Sequence, residues 1–312
     1  MFASALAALL IAWQPAPAVQ AQDPRAFEEP ADLGDIEVDG RTLERATQDF
    51  VNEVGDPSRG RGLARWRRTL CVGVANLRPA AAQFIVDRIS DRARGLGLQA
   101  GDPGCIPSVM IIATQDANAF TPQFVGMRPR LFNPGGAGMS LGNAALRRFQ
   151  ETDRPVRWWV VSKPVDETGK LAVRVPGRCR DDCQETMDFA PQVESFGSRL
   201  SSPLEDDIGR VFIIVDVDQV ATLTPNQLAD YLAMVTLAQI DPDAETGRYS
   251  TILNVLDDPA NSPGMTQWDQ AYLNGLYDAQ RMQVNLRANG SEIARSIIRV
   301  RQAMDSESNI EP

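Results

Sequence analysis

Arg-Thr-Leu-Cys-Val-Gly-Val-Ala-Asn-Leu at residues 68–77 is rich in β-forming side chains and predicts a strand. Pro79 then opens an amphipathic helix whose apolar face is Phe84, Ile85, Ile89, Ala93 and Leu96, and which stops at Gly95 or Gly97. After a Gly/Pro turn holding Cys105, Val109-Met110-Ile111-Ile112-Ala113 predicts a second strand. Strand, helix and strand make a β-α-β unit, so the two strands are expected to be parallel.

Upstream, Leu43, Ala46, Phe50 and Val51 recur at helical spacing over residues 41–54, with Asp39 or Thr42 as cap. Downstream, Gly, Pro and Arg dominate residues 120–140, and Leu141 to Phe149 can form a short helix set over the sheet. Val156 to Val161 is a strand, and Leu171 to Val175 is expected to return antiparallel to it. Val211-Phe212-Ile213-Ile214-Val215-Asp216-Val217 predicts a central strand buried on both faces. Thr224 with Pro225 starts a helix to about residue 240, and Thr266 caps a helix over Gln267 to Asp278. A basic amphipathic helix over residues 291–303 buries Ile293, Ile297, Ile298 and Met304. The expected fold class is α/β to α+β: one domain over residues 41–304 with a mixed β-sheet, the early β-α-β unit and C-terminal helices.

The termini carry different signals. Residues 1–21 contain no charged side chain, Ala3 to Trp13 is an apolar run, and Val19 and Ala21 satisfy the small-residue cleavage rule, so a signal peptide cut after Ala21 is expected. Residues 22–40 hold Glu28, Glu29, Asp32, Asp35 and Glu37 among Pro and Gly without periodicity, a flexible acidic arm. Residues 305–312 read as a disordered tail. A formal net charge of −10 argues against nucleic acid or anionic lipid as partners, and no membrane insertion is expected after signal cleavage.

The four cysteines, Cys71, Cys105, Cys179 and Cys183, all follow the signal, and an even count in an oxidising compartment favours bridges. Three pairings are open; Cys71–Cys105 with Cys179–Cys183 is preferred because each joins near neighbours within one structural unit. Cys179 and Cys183 are separated by three residues rather than the two of thioredoxin-like redox sites, which favours a structural clip.

The chain has no histidine, which removes the usual general base, the usual partner of a Ser or Cys nucleophile and the commonest zinc ligand. Gly138-Met139-Ser140-Leu141-Gly142 matches the nucleophile elbow of α/β-hydrolases, but Ser140 lacks the histidine and the preceding strand, and is read as a helix cap. The only lysines, Lys163 and Lys170, flank a predicted turn and are not placed for a Ser/Lys dyad. The Gly-rich loop 135–142 lacks the features of a phosphate or dinucleotide site. Asp241-Pro242-Asp243-Ala244-Glu245 lacks the spacing of an EF-hand. Carboxylate chemistry survives, since glycoside hydrolysis needs only a pair of Asp or Glu; Asp216, Asp218 and Asp230 are candidates by position. The expected set is no catalytic, cofactor-binding or metal-binding residue, and no cofactor.

Gly40-Arg41, Leu43, Phe50-Val51, Ala64-Arg65-Trp66, Cys71, Arg88-Ile89, Gly97 and Cys105 together resemble a group of uncharacterised exported proteins of alphaproteobacteria. The resemblance implies a periplasmic or envelope location and a bridge between Cys71 and Cys105. The order of elements also resembles the metzincin zinc proteases. In that register Ala238 stands at the motif glycine, Tyr231, Val235 and Asp241 stand at the three metal ligands, and Leu232 replaces the catalytic Glu. Ser250-Thr251-Ile252-Leu253 stands at the Met-turn without its Met. The resemblance therefore implies a fold without zinc or general base. The expectation is an exported, periplasmic or secreted non-catalytic protein with a binding or structural role for a protein or peptide partner in the envelope. A peptide-binding relative of the proteases is one form of this, and a carboxylate-dependent hydrolase is the alternative.

Overall fold

Pro79 fits the first turn of a helix because its missing N–H needs no partner there, and α2 runs Pro79–Gly95. It stops where Gly97 takes φ +76° and the Leu98 N–H turns back to Ala93 O at 3.0 Å, a left-handed ending that favours glycine. α2 connects β2 (Val72–Ala75) to β4 (Val109–Thr114), and the two pair in parallel as the sequence predicts. Ile85, Ile89 and Ala93 turn into the core, whereas Phe84 is 40% exposed and does not join the predicted apolar face.

The computed structural model describes residues 43–173, 175, 202, 204–280 and 286–308, which belong to one compact unit. The signal segment, the acidic arm, the cap candidates Asp39 and Thr42, and the Cys179–Cys183 pair lie outside the described residues.

The fold is a single mixed α/β domain. The sheet order is β2-β4-β6-β5, with β6 (Glu205–Asp216) parallel to β4 and β5 (Val156–Val165) antiparallel to β6 at the edge. Alternation along β5 and β6 divides the core. Val156, Trp158, Val160, Val211, Ile213 and Val215 face α1 (Leu43–Val54), α2, α6 (Pro225–Leu237), α7 (Gln267–Asp278) and α8 (Leu286–Ser308). Trp159, Val161, Phe212 and Ile214 face α3 (Ala117–Met127), α4 (Pro129–Phe132) and α5 (Gly142–Glu151). Covering both faces is what lets β6 read as a continuous apolar run.

Several boundaries differ from the sequence reading. The strand expected over 68–77 breaks at Cys71, because the Cys71 carbonyl accepts from both Ser108 N and Val109 N. The upstream piece β1 (Thr69–Leu70) pairs in parallel with β3 (Gln99–Ala100), a strand hidden in the Gly/Pro turn. α3 was obscured by Pro122 and Gly126; Asp116 caps it by accepting from Ala119 N at 2.8 Å, and buried Asp216 accepts from Ala117 N at 3.1 Å. Ser140 is not the cap of α5: that position is Leu141, and Ser140 Oγ donates to Asn133 and accepts from Gly142 N. Among the described residues, the return over Leu171–Val175 is reduced to one bridge, Val165 with Leu171. α6 ends at Leu237 because Ala238 turns extended, and α8 continues to Ser308, past the Asp305 at which the tail was expected to begin.

Both predicted caps hold in full. Thr224 with Gln227 and Thr266 with Asp269 form reciprocal capping boxes at α6 and α7. Cys71 and Cys105 are bridged, closing a sequence separation of 34 residues. Constraining a loop of that length restricts the unfolded chain, so the double variant Cys71→Ala, Cys105→Ala is expected to lose about 3–4 kcal/mol of unfolding free energy. Guanidinium denaturation of both proteins under non-reducing conditions checks this.

Candidate functional site

An edge strand exposes alternate main-chain groups unless something covers them. Pro155 O accepts from Asp216 N at 2.8 Å, which fixes the phase of the β5–β6 ladder: Arg157, Trp159 and Val161 pair inward, and Val156, Trp158 and Val160 present their N–H and C=O groups outward. Beyond Val160 that outer side is covered. Ser162 N donates to Met139 O at 3.0 Å, Ala172 N to Pro164 O at 2.8 Å and Asp166 N to Lys170 O at 2.9 Å. From Val156 to Val160, no main-chain partner meets the outer edge among the described residues.

A narrow cleft, partly open to solvent, lies beside this free edge at Trp158 and Val160. Leu141, Ala145, Arg148 and Phe149 of the α5 region form one wall, and Gln239, Ile240, Pro242 and Asp243, just after α6, form the other. Trp158, Trp159 and Val160 line its floor, and Asp56 closes one side. Each wall is anchored. Trp158 Nε1 donates to Ile240 O at 2.9 Å, Trp159 Nε1 donates to Phe132 O at 2.8 Å, and Asp56 N donates to Gln239 O at 3.2 Å. The turn after α1 is thereby tied to the segment after α6, an arrangement completed by Asp241 N donating to Val54 O at 2.7 Å.

The charges in the groove are unevenly matched. Arg154 donates to both Pro242 O and the Asp243 carboxylate, and Arg148 approaches Asp243 from the opposite wall at 3.8 Å. Arg157 is buried, donating from Nη1 to Gln150 O at 2.9 Å and from Nη2 to the Asn118 side-chain carbonyl, while its Nε has no partner. Burial pulls its guanidinium below the usual arginine range, against the opposing fields of Asp153 and Asp216. Asp56 differs from the other acids here. Burial first, then the fields of Asp241 and, more weakly, Asp243 push its carboxyl up to about 7, and Arg148 only partly offsets them.

The acids singled out by sequence position do not converge. Asp216 caps backbone N–H groups, Asp218 is exposed, and Asp230 is held by Arg88 at 2.7 Å and Arg92 at 3.2 Å. Sequence reasoning passed over Asp56, whose only signal is its place after the Val54-Gly55 end of a helix. Of the residues in the metzincin register, Tyr231 and Asp241 line one pocket with Leu253, beside Trp158. Val235, Leu232 and Ala238 are fully buried in the core. Thr251 donates to buried Asp269, and Ser250 is exposed. Among the described residues no group of three or more Cys, Asp or Glu is placed to hold a metal ion, and no helix is long and apolar enough to cross a membrane. The chain matches no protein-family model, no curated protein and no solved structure.

Proposed function

We propose that this protein is an exported, non-catalytic binding protein of the cell envelope, periplasmic or secreted, that takes up an extended peptide by strand addition to β5. The carrying observation is the run of main-chain groups at Val156, Trp158 and Val160 that no strand meets on the outer side, of which Trp158 and Val160 line the cleft. Such groups form main-chain hydrogen bonds with any extended chain, and the groove walls then select among side chains. A protease-like fold would leave the strand preceding residue 224 as an open edge; that strand, β6, is interior, so strand addition to its antiparallel neighbour β5 draws no support from the metzincin resemblance. Strand edges left uncovered are otherwise aggregation hazards, and the walls of the groove limit what can reach this one.

Peptide binding through this edge has a signature. An added strand uses the N–H groups of alternate residues, so a capped Val/Thr peptide N-methylated at alternate positions in one phase should lose binding by about tenfold or more, while methylation in the other phase leaves it intact. Fluorescence titration of the purified chain with both peptides checks this. Equal loss in both phases sinks strand addition.

A second reading, a carboxylate-dependent hydrolase, is favoured by one observation: Asp56 and Asp243 line the same groove, and a carboxyl near 7 suits a general acid. Against it, Asp243 is occupied by Arg154. Product formation from peptide or glycoside substrates that vanishes in Asp56→Asn would favour the hydrolase over the binding protein.

A further inference from the structure

We propose that the segment added to β5 carries a lysine or arginine whose cation seats against Asp56, an inference that rests on the peptide-binding reading and specifies its ligand. Asp56 lines the groove beside the free edge, and its carboxylate has no hydrogen-bond or ion-pair partner among the described residues. Its position relative to that edge is set by main-chain bonds: Asp56 N to Gln239 O on one side, and the Gly55–Ile240 bridge beside it. The groups facing it are Asp241 and Asp243 from the segment after α6 and Arg148 from α5. At Asp56 the fields of Asp241 and Asp243 together exceed that of Arg148, although Arg148, Arg154 and Arg157 all line the groove. Arg148 is also drawn to Asp243 at 3.8 Å, and Arg154 is committed to Asp243 and Pro242 O, so neither arginine neutralises Asp56. A peptide cation entering here meets a half-buried carboxylate whose charge Arg148 only partly compensates, and a charge-assisted hydrogen bond forms in a setting less screened than bulk water.

The proton balance gives the reading a direction. Burial pushes the Asp56 carboxyl up to about 7. This folded value lies above that of an unfolded aspartate, so ionising Asp56 costs stability as pH rises from about 4 to about 7, and an incoming cation restores it. Binding of a basic peptide therefore releases a proton below about pH 7, and its affinity climbs with pH up to that value and levels off above it.

The probe is a capped Val/Thr peptide with a single lysine, moved one residue at a time, against a twin with norleucine at the same place. Titrated against the purified chain at about pH 8, the best lysine peptide should bind about tenfold tighter than its twin, and this preference should vanish in Asp56→Asn. If that variant fails to fold, the wild-type pH profile decides: between about pH 8 and about pH 6 the lysine preference must fall several-fold. Equal binding of the two peptides, or a preference that does not change with pH, overturns the basic-residue inference and leaves strand addition standing. Binding of neither peptide overturns both.

Discussion

Replacing Asp230 with Ala is expected to destabilise the domain by about 3–5 kcal/mol, the largest effect of any single substitution considered. Asp230 sits on α6 with its side chain 1% exposed. It accepts from Arg88 at 2.7 and 2.8 Å, from Arg92 at 3.2 Å and from Met265 N at 3.0 Å, so one carboxylate joins α2, α6 and the segment before α7. Burial alone would raise its carboxyl, but Arg88, the Met265 N–H and Arg92 together outweigh burial and hold it below the usual range. Truncation leaves two half-buried guanidinium groups and one buried N–H without their acceptor. Because the folded value is depressed, the contribution is present above about pH 4 and is lost as pH falls through the folded value. Urea denaturation at about pH 7 should show the full loss, and wild type and variant should converge in acid. Asp230→Asn, which keeps the Met265 contact and drops the charge, should fall between them.

Phe50→Ala should cost about 3 kcal/mol and should also weaken peptide binding. The ring is fully buried on α1, edge-on to Tyr249 at 4.8 Å, Trp268 at 5.3 Å and Tyr272 at 5.4 Å. The cavity left behind would be lined by the unpartnered Tyr249 hydroxyl, Trp268 Nε1 and Tyr272 hydroxyl, so water can enter and hold the cost toward the lower end of the range for phenylalanine. The functional consequence follows from position. α1 leads directly into Gly55 and Asp56, and loosening the helix loosens one side of the groove. Thermal denaturation reads the first effect, and titration with a lysine peptide reads the second. Unchanged affinity in a clearly destabilised variant would show that the turn after α1 is held by its main-chain bonds to Gln239 and Ile240 alone.

Elements whose local signal agrees with their tertiary setting were legible in the sequence. α2, α6 and α7 begin at Pro or Thr caps and, Phe84 of α2 apart, turn the side chains their periodicity marks toward the core, and β4 and β6 are apolar because helices cover both faces. The Cys71–Cys105 bridge agrees with the preference for near neighbours. α3 was not legible, because Pro122 and Gly126 weaken its local signal, while the contacts that hold it, Phe124 edge-on to Phe132 of α4 and to Phe212 of β6, come from outside the segment. β3 was not legible because two residues carry no periodicity, and only pairing with β1 makes them a strand.

By itself the sequence determined that no histidine is available to any site and which segments bury an apolar face, since these depend on composition and on periods of two and 3.6 residues that each segment carries alone. It did not determine which strand would lie at the edge or which acid would matter. Val156 to Val161 is apolar apart from Arg157 and carries no local mark of an edge; it becomes one because β6 inserts between it and β4. Asp56 is one acid among many until Gln239, Asp241 and Arg148, from distant parts of the chain, surround it. Burial and electrostatic potential at a site are sums over neighbours in space, and those neighbours are assigned only when the sheet order and the helix packing are complete.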